Sequence, residues 1–251
     1  MKILLFFAAL LIACTGSSGE RAQRPVATMD ADAVETGSPT LPRDTVRQQL
    51  SATALSMERQ GMVNIQSVDP TIRVSLMYSR PDNFTGRVLY DALREGYLHP
   101  KAARALAMAQ QRLKELHPDL SLIIFDATRP MSIQQKMWDV VKGTSKNIYV
   151  SNPARGGGMH NYGMAVDISI CRENGDTIPM GALVDHMSNL SHIDHEDVLV
   201  RTKRMTAEAR ANRQLLREVM AVGGFKPLRT EWWHFNLCTR EEAKRNYKVI
   251  R

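Results

Sequence analysis

The 251-residue sequence contains no run of five or more basic residues, and aromatics make up only 6% of it. Its formal charge of +7 is therefore spread out, with few rings among the cations, and a nucleic-acid surface is not expected. An apolar run long enough to stay in a bilayer as a spanning helix is also missing, because residues 3–12 are too few for the hydrocarbon thickness. No internal repeat is visible, and strands and helices do not alternate as regular βα units, which leaves the α+β class. Cysteine is scarce, with Cys14, Cys171 and Cys238 only. At 43% hydrophobic and 24% charged, the chain can bury one good core.

The N-terminus carries what the composition lacks elsewhere. One early cation, Lys2, precedes the apolar run, which reads as an export signal occupying residues 1–13. Leu11-Ile12-Ala13-Cys14 resembles the bacterial lipobox, in which the cysteine is lipid-modified and becomes the mature N-terminus; an ordinary cleaved signal with an incidental Cys14 is the alternative. Thr15, rather than aspartate, after the cysteine points by resemblance to Gram-negative sorting, and so to an outer-membrane anchor facing the periplasm. Residues 14–43 are polar and rich in Gly, Ser and Pro. They cannot repay the entropy of ordering and read as a tether of roughly 30 Å reach.

From residue 44 onward the periodicity is that of a folded domain, 44–251. Val46, Leu50, Ala54 and Met57 recur at helical spacing before Gly61. Residues 64–77 read as β, interrupted by Pro70. Residues 100–117 carry Ala102, Leu106, Ala109, Leu113 and Leu116 on one stripe, an amphipathic helix that Pro118 stops. A short strand at 122–125 leads into "DATRP", after which Ser132 and Gln135 suggest a capping box for a helix ending near Gly143. Met164, Val166, Ile168 and Ile170 alternate as a strand and turn Asp167 to its other face. A helix over 206–222 closes at Gly223-Gly224, and residues 235–237 continue "EWWHF" as a last strand.

Chemistry concentrates in three fragments. "GGGMHNYGMAVD" puts His160 in a glycine-rich loop and Asp167 seven residues later in an apolar strand, where a carboxylate needs a cationic partner. A catalytic zinc takes three protein ligands and keeps one position open for water. His160 and Asp167 supply two, and "TEWWHF" offers His234 as the third, with Glu231 better placed as general base on the activated water than as a fourth ligand. Glu231 and His234 are three apart, so both reach one metal only if Glu231 sits on a turn before the strand. "DATRP" adds Arg129, whose guanidinium can face an oxyanion or a carboxylate; an ion pair with Asp126 is its structural alternative.

These fragments, together with "YSRPDNFTG" at 78–86 and "PMGALVDHMSNLSH" at 179–192, resemble the zinc D-alanyl-D-alanine dipeptidases of the VanX type. The resemblance covers about residues 64–235 and follows the family's motif order. It implies a small mixed or antiparallel sheet flanked by helices, as in zinc D,D-carboxypeptidases and the hedgehog signalling domain. It implies one zinc ion per chain on His160, Asp167 and His234, Glu231 as base and Arg129 steadying the transition state. The family usually has serine two residues before its first zinc histidine, where this chain has Gly158.

A dipeptidase must seat a free ammonium group, and Asp185 is the candidate, with a turn-capping role as the alternative. The substrate expected is D-Ala-D-Ala in the cell envelope. A peptidoglycan carboxypeptidase or endopeptidase acting on the stem peptide, and a non-catalytic wall-binding lipoprotein, are the other readings. For Cys171 and Cys238, each four residues beyond a ligand, antiparallel strands paired at the ligands would hold two free, buried thiols apart.

Overall fold

The computed structural model describes residues 50–251. The signal segment with Cys14, the tether to Arg43 and the start of the first expected helix at Val46 lie outside them. In chain order come α1 (Ala52–Arg59), β1 (Val63–Asn64), α2 (Ile65–Val68), β2 (Arg73–Val74), β3 (Tyr97–Leu98), α3 (Pro100–Leu116), β4 (Leu120–Asp126) and α4 (Met131–Val141). These are followed by β5 (Ala165–Arg172), α5 (Glu196–Arg201), α6 (Ala207–Val222), β6 (Lys226–Leu228), β7 (Glu231–Asn236) and α7 (Arg240–Asn246).

The main sheet has the order β2-β4-β5-β7-β6, and β1 pairs β3 separately. Only β2 and β4 run parallel; the other pairs of this sheet are antiparallel. The α+β expectation is met. The alternation expected in β5 puts Val166, Ile168 and Ile170, all wholly buried, on one face, and Asp167, Ser169 and Cys171 on the other. Burying each such aliphatic side chain contributes about 1.5–3 kcal/mol. The apolar stripe of α3, with Leu106, Ala109 and Leu113 fully buried, packs on β4 and on α6. A buried glutamine on that stripe, Gln110, accepts from Leu122 N at 2.8 Å and so fixes α3 to the start of β4.

Several local expectations are corrected. Among the described residues the first helix begins at Ala52, where Ser51 accepts from Ala54 N and caps it, and Leu50 lies before it. The 64–77 stretch is not a strand: the Asn64 side chain accepts from Gln66 N and starts the helical turn α2, while Asp69 accepts from Thr71 N across Pro70. Two-residue pairings, β1 and β2, are all the strand that those side-chain caps leave. The capping box at Ser132 and Gln135 does not form. Helix α4 starts at Met131, after Pro130, with no side-chain cap. Its first N–H is satisfied from elsewhere in the chain, by Ile250 O at 2.8 Å, and Gln135 turns to Asp139 instead.

Candidate metal centre and catalytic cleft

Strands β5 and β7 are antiparallel, and Asp167 lies directly opposite His234 in their register. Two of the three expected ligands are therefore placed by sheet pairing alone. The third arrives by loop: His160 sits in a short 3-10 turn, Met159–Tyr162, that ends at Gly163 with φ 65. Glycine is needed there twice over. The left-handed conformation disfavours a side chain, and a β-carbon would stand 2.9 Å from both His99 N and Thr128 Oγ1. The turn is stitched to the "DATRP" loop by Arg129 N donating to His160 O at 3.0 Å and Asn161 Nδ2 donating to Arg129 O at 2.7 Å.

The ring tautomers follow from the outer partners. Ala127 O can only accept, so His160 donates from Nδ1 at 2.7 Å and turns the Nε2 lone pair inward. His234 donates from Nε2 to Asn236 Oδ1 at 2.9 Å, which turns its Nδ1 lone pair inward. The two inward nitrogens are 3.2 Å apart, and the Asp167 carboxylate lies 3.0 Å from one and 3.3 Å from the other. Two facing lone pairs and a carboxylate repel unless a cation lies among them. Their separations match the edge of a tetrahedron with bonds of about 2.0 Å, roughly 3.3 Å, which suits zinc. Ring N–H groups anchored on a carbonyl and an amide are the outer support that metal-ligating histidines have. The donor set therefore fits a divalent metal.

Glu231 was expected on a turn before the last strand. It is instead the first residue of β7, which starts four residues earlier than expected and ends at Asn236. The reach is obtained by an irregular register, since Pro227 pairs Phe235 but Leu228 pairs Glu231. The three intervening residues bow out, and Glu231 Oε2 comes within 3.9 Å of His234 Nδ1. Burial pushes the Glu231 carboxyl up to about 7, with Asp167 and Asp185 adding to the rise and His234 and Arg129 opposing it. Such a group exchanges protons near neutral pH.

Arg129 makes the ion pair with Asp126 and also lines the cleft. Its Nε and Nη2 donate to Asp126 Oδ2 at 2.8 and 2.5 Å, Nη1 donates to Gln134 Oε1 at 3.0 Å, and Nη2 stands 3.6 Å from Asp167 Oδ2. Asp126 accepts from Tyr90 Oη as well, at 2.5 Å. The ion pair with Asp126 thus anchors the guanidinium while it lines the cleft. Burial would lower the Arg129 pKa, but Asp126 beside it holds it protonated.

Asp185 lies in the same cleft at φ 62, an unusual backbone for a residue other than glycine. Its side chain caps no turn; it accepts from Tyr78 Oη at 2.6 Å. Burial and the Asp167 charge raise its carboxyl to about 7, against the Tyr78 hydrogen bond and the Arg129 charge. Tyr78 also places its ring 5.3 Å from the Arg129 guanidinium carbon. Tyr78 begins the "YSRPDNFTG" motif, whose residue pattern alone assigns the tyrosine no role. Gln134 was missed as well, and only its burial, complete here, would have marked it.

The cleft encloses about 440 Å³ and gathers His160, Asp167, His234, Glu231, Arg129 and Asp185. A second trio, His192, Asp194 and His195, also has mutually close ligand atoms. There Asp194 is already paired with Arg229 at 2.9 Å, and among the described residues no buried cation pairs with it. Cys171 and Cys238 are free and buried, as antiparallel strands paired at the ligands require.

Three convergent ligands, an acid poised near neutrality and a buried guanidinium in one cleft of about 440 Å³ define a metallopeptidase-type site. Residues 58–250 match the M15 peptidase family described as D-ala-D-ala dipeptidase. The D-alanyl-D-alanine dipeptidase of Escherichia coli K12 is 33% identical over 70% of this chain and 84% of that protein. That of Streptomyces coelicolor is 32% identical over 66% of this chain and 86% of its own length, and that of Enterococcus faecalis is 26% identical over 66% and 86%. The chain belongs to the D-ala-D-ala dipeptidase family of M15 peptidases and is a metallopeptidase.

Proposed function

We propose that the protein hydrolyses the D-alanyl-D-alanine dipeptide with one zinc ion held by His160, Asp167 and His234. The observation that carries this reading is the convergence of the two imidazole lone pairs and the Asp167 carboxylate within 3.3 Å, beside Glu231 and Arg129. A zinc ion held there supplies Lewis acidity, polarising a carbonyl and lowering the pKa of water to about 7. Glu231 takes the proton from the attacking water and returns it to the leaving amine, a task suited to a carboxyl that burial raises above its ordinary range. Arg129, fixed by Asp126 and Gln134, meets the negative charge that develops on the carbonyl oxygen.

Asp185 supports a dipeptide over a longer stem peptide. A carboxylate buried in the cleft and oriented by Tyr78 suits a free ammonium group, which a residue inside a longer chain lacks. Location belongs to the same proposal: export through the N-terminal signal and lipidation at Cys14, in the lipobox-like Leu11-Ile12-Ala13-Cys14, anchor the enzyme in the outer membrane facing the periplasm. Among the described residues no helix is long and apolar enough to cross a membrane.

The test offers zinc-loaded protein D-Ala-D-Ala, L-Ala-L-Ala and a wall pentapeptide side by side. Release of D-alanine from the free D,D-dipeptide is the expected result. Release from the pentapeptide alone would assign a carboxypeptidase, and no release from any of them would assign a binding role.

A further inference from the structure

Gly158 has an ordinary extended backbone, φ −114 and ψ −177, so no left-handed conformation calls for glycine there. Space does. A β-carbon at 158 would lie 2.8 Å from Ser151 Oγ and 3.1 Å from Ser151 Cβ. The serine hydroxyl fills the place that a side chain two residues before His160 would occupy.

Ser151 faces the catalytic cleft, and among the described residues its hydroxyl has no hydrogen-bond partner. Its backbone, by contrast, is held firmly. Gln134 Nε2 donates to Ser151 O at 2.8 Å, while Gln134 Oε1 accepts from Arg129 Nη1 at 3.0 Å. One buried amide thus sets Ser151 in register with the arginine of the cleft.

Arg240, the first residue of α7, lines the cleft from the other side of the same loop. Its Nη2 donates to Arg155 O at 2.9 Å and to Gly157 O at 2.8 Å, and among the described residues no carboxylate pairs with it. Loop 155–158 therefore has an uncommitted hydroxyl beside Gly158 and a guanidinium without a counter-ion on its carbonyls, and both line the cleft. Asp185 comes from a different loop and is tied to Tyr78. A zwitterionic dipeptide needs such a division, with an acidic seat for one end and a cationic seat for the other.

We propose that Ser151 and Arg240 form the seat for the substrate's C-terminal carboxylate, and that residue 158 is glycine to admit the Ser151 hydroxyl. This rests on the dipeptidase reading and adds the group that reads the substrate's free C-terminus. Arg240 supplies the charge, and Ser151 donates one directed hydrogen bond.

The test compares zinc-loaded full-length protein on D-Ala-D-Ala and on its C-terminal amide, D-Ala-D-Ala-NH2. Wild type should prefer the acid by roughly tenfold or more in kcat/KM, the range of one hydrogen bond to a charged group. Ser151→Ala and Arg240→Gln should each raise KM for the acid with kcat little changed, and should shrink the preference for acid over amide. Gly158→Ser alone should impair activity by displacing Ser151, and the double variant Ser151→Gly, Gly158→Ser should recover part of it by supplying the hydroxyl from the neighbouring position. Zinc content equal to wild type in each variant shows that the His160 turn is intact. Unchanged KM and unchanged preference in both Ser151→Ala and Arg240→Gln would overturn the seat. Equal wild-type cleavage of acid and amide would overturn it while leaving the dipeptidase reading standing, and cleavage of neither would remove both.

Discussion

The floor of the cleft is strand and its rim is loop, and the two hold their polar groups by different means. On the floor, Asp167 and His234 face each other across a sheet register, and moving either one means moving two strands. On the rim, Asp185 sits at a positive φ with one side-chain bond to Tyr78, and Arg240 rests on two loop carbonyls. Rigid placement suits groups that must meet within a few tenths of an ångström around a metal. Placement by one or two side-chain bonds suits groups that receive a substrate's ends. Damage to the floor should therefore abolish a function, whereas damage to the rim should weaken recognition.

The largest effects belong to the floor. His234→Ala should lose bound zinc and bring turnover to the detection limit; full zinc content on elemental analysis would remove it from the ligand set. Glu231→Gln separates the base from the ligands, because the amide keeps the shape and loses the proton transfer. It should keep zinc and lose roughly 10²–10⁴-fold in kcat, and retained turnover would show that another group is the base.

Arg129 stands between the two regions, anchored like the floor but facing substrate. Arg129→Ala should cost roughly 10²–10³-fold in kcat. Urea denaturation should show a further loss of roughly 3–5 kcal/mol, because wholly buried Asp126 is left without its cation. A variant inactive yet as stable as wild type would break that anchoring argument.

On the rim, Asp185→Asn should raise KM for the dipeptide by roughly tenfold or more with a smaller change in kcat. The pH dependence carries the sign. Burial first, then the Asp167 charge, raise the Asp185 carboxyl to about 7, so it is uncharged below that pH and a carboxylate above it. Only the carboxylate attracts an ammonium group, and KM should fall as pH rises through the Asp185 pKa in wild type, which a cation on Asp167 lowers from about 7 by offsetting that residue's charge. The asparagine variant should lack that limb. Glu231, also near 7 in the protein alone, is pulled lower by a bound cation, which separates its limb, read in kcat, from that of Asp185.

The smallest effect concerns Cys171 and Cys238. Mass spectrometry of the unreduced, alkylated protein should show both thiols free, and a reductant should leave the melting temperature unchanged. A linked peptide joining them would contradict the antiparallel pairing of β5 with β7.

The same division governs what the sequence reveals. Floor residues were legible because strand periodicity is local: the alternation from Met164 to Ile170 turns Asp167 to the opposite face whatever the rest of the chain does. The stripe of α3 and the extent of α6, read as 206–222 and observed over Ala207–Val222, were legible for the same reason. Rim contacts were not, since the Tyr78 hydrogen bond to Asp185 spans 107 positions and no short pattern encodes it. The failed capping box at Ser132 has the same origin: a partner near the C-terminus, Ile250, satisfies the N–H of Met131. The irregular register that brings Glu231 to His234 also depends on β6, and residue spacing alone could state only that some break in the strand was required.

The central claim is that His160, Asp167 and His234 share one metal ion. Anomalous diffraction at the zinc edge from crystals of the zinc-loaded protein tests it most directly. The account predicts one strong peak about 2.0–2.1 Å from His160 Nε2 and His234 Nδ1 and about 2.0–2.2 Å from an Asp167 carboxylate oxygen. An empty centre, or a peak held only by His192, Asp194 and His195, would contradict it.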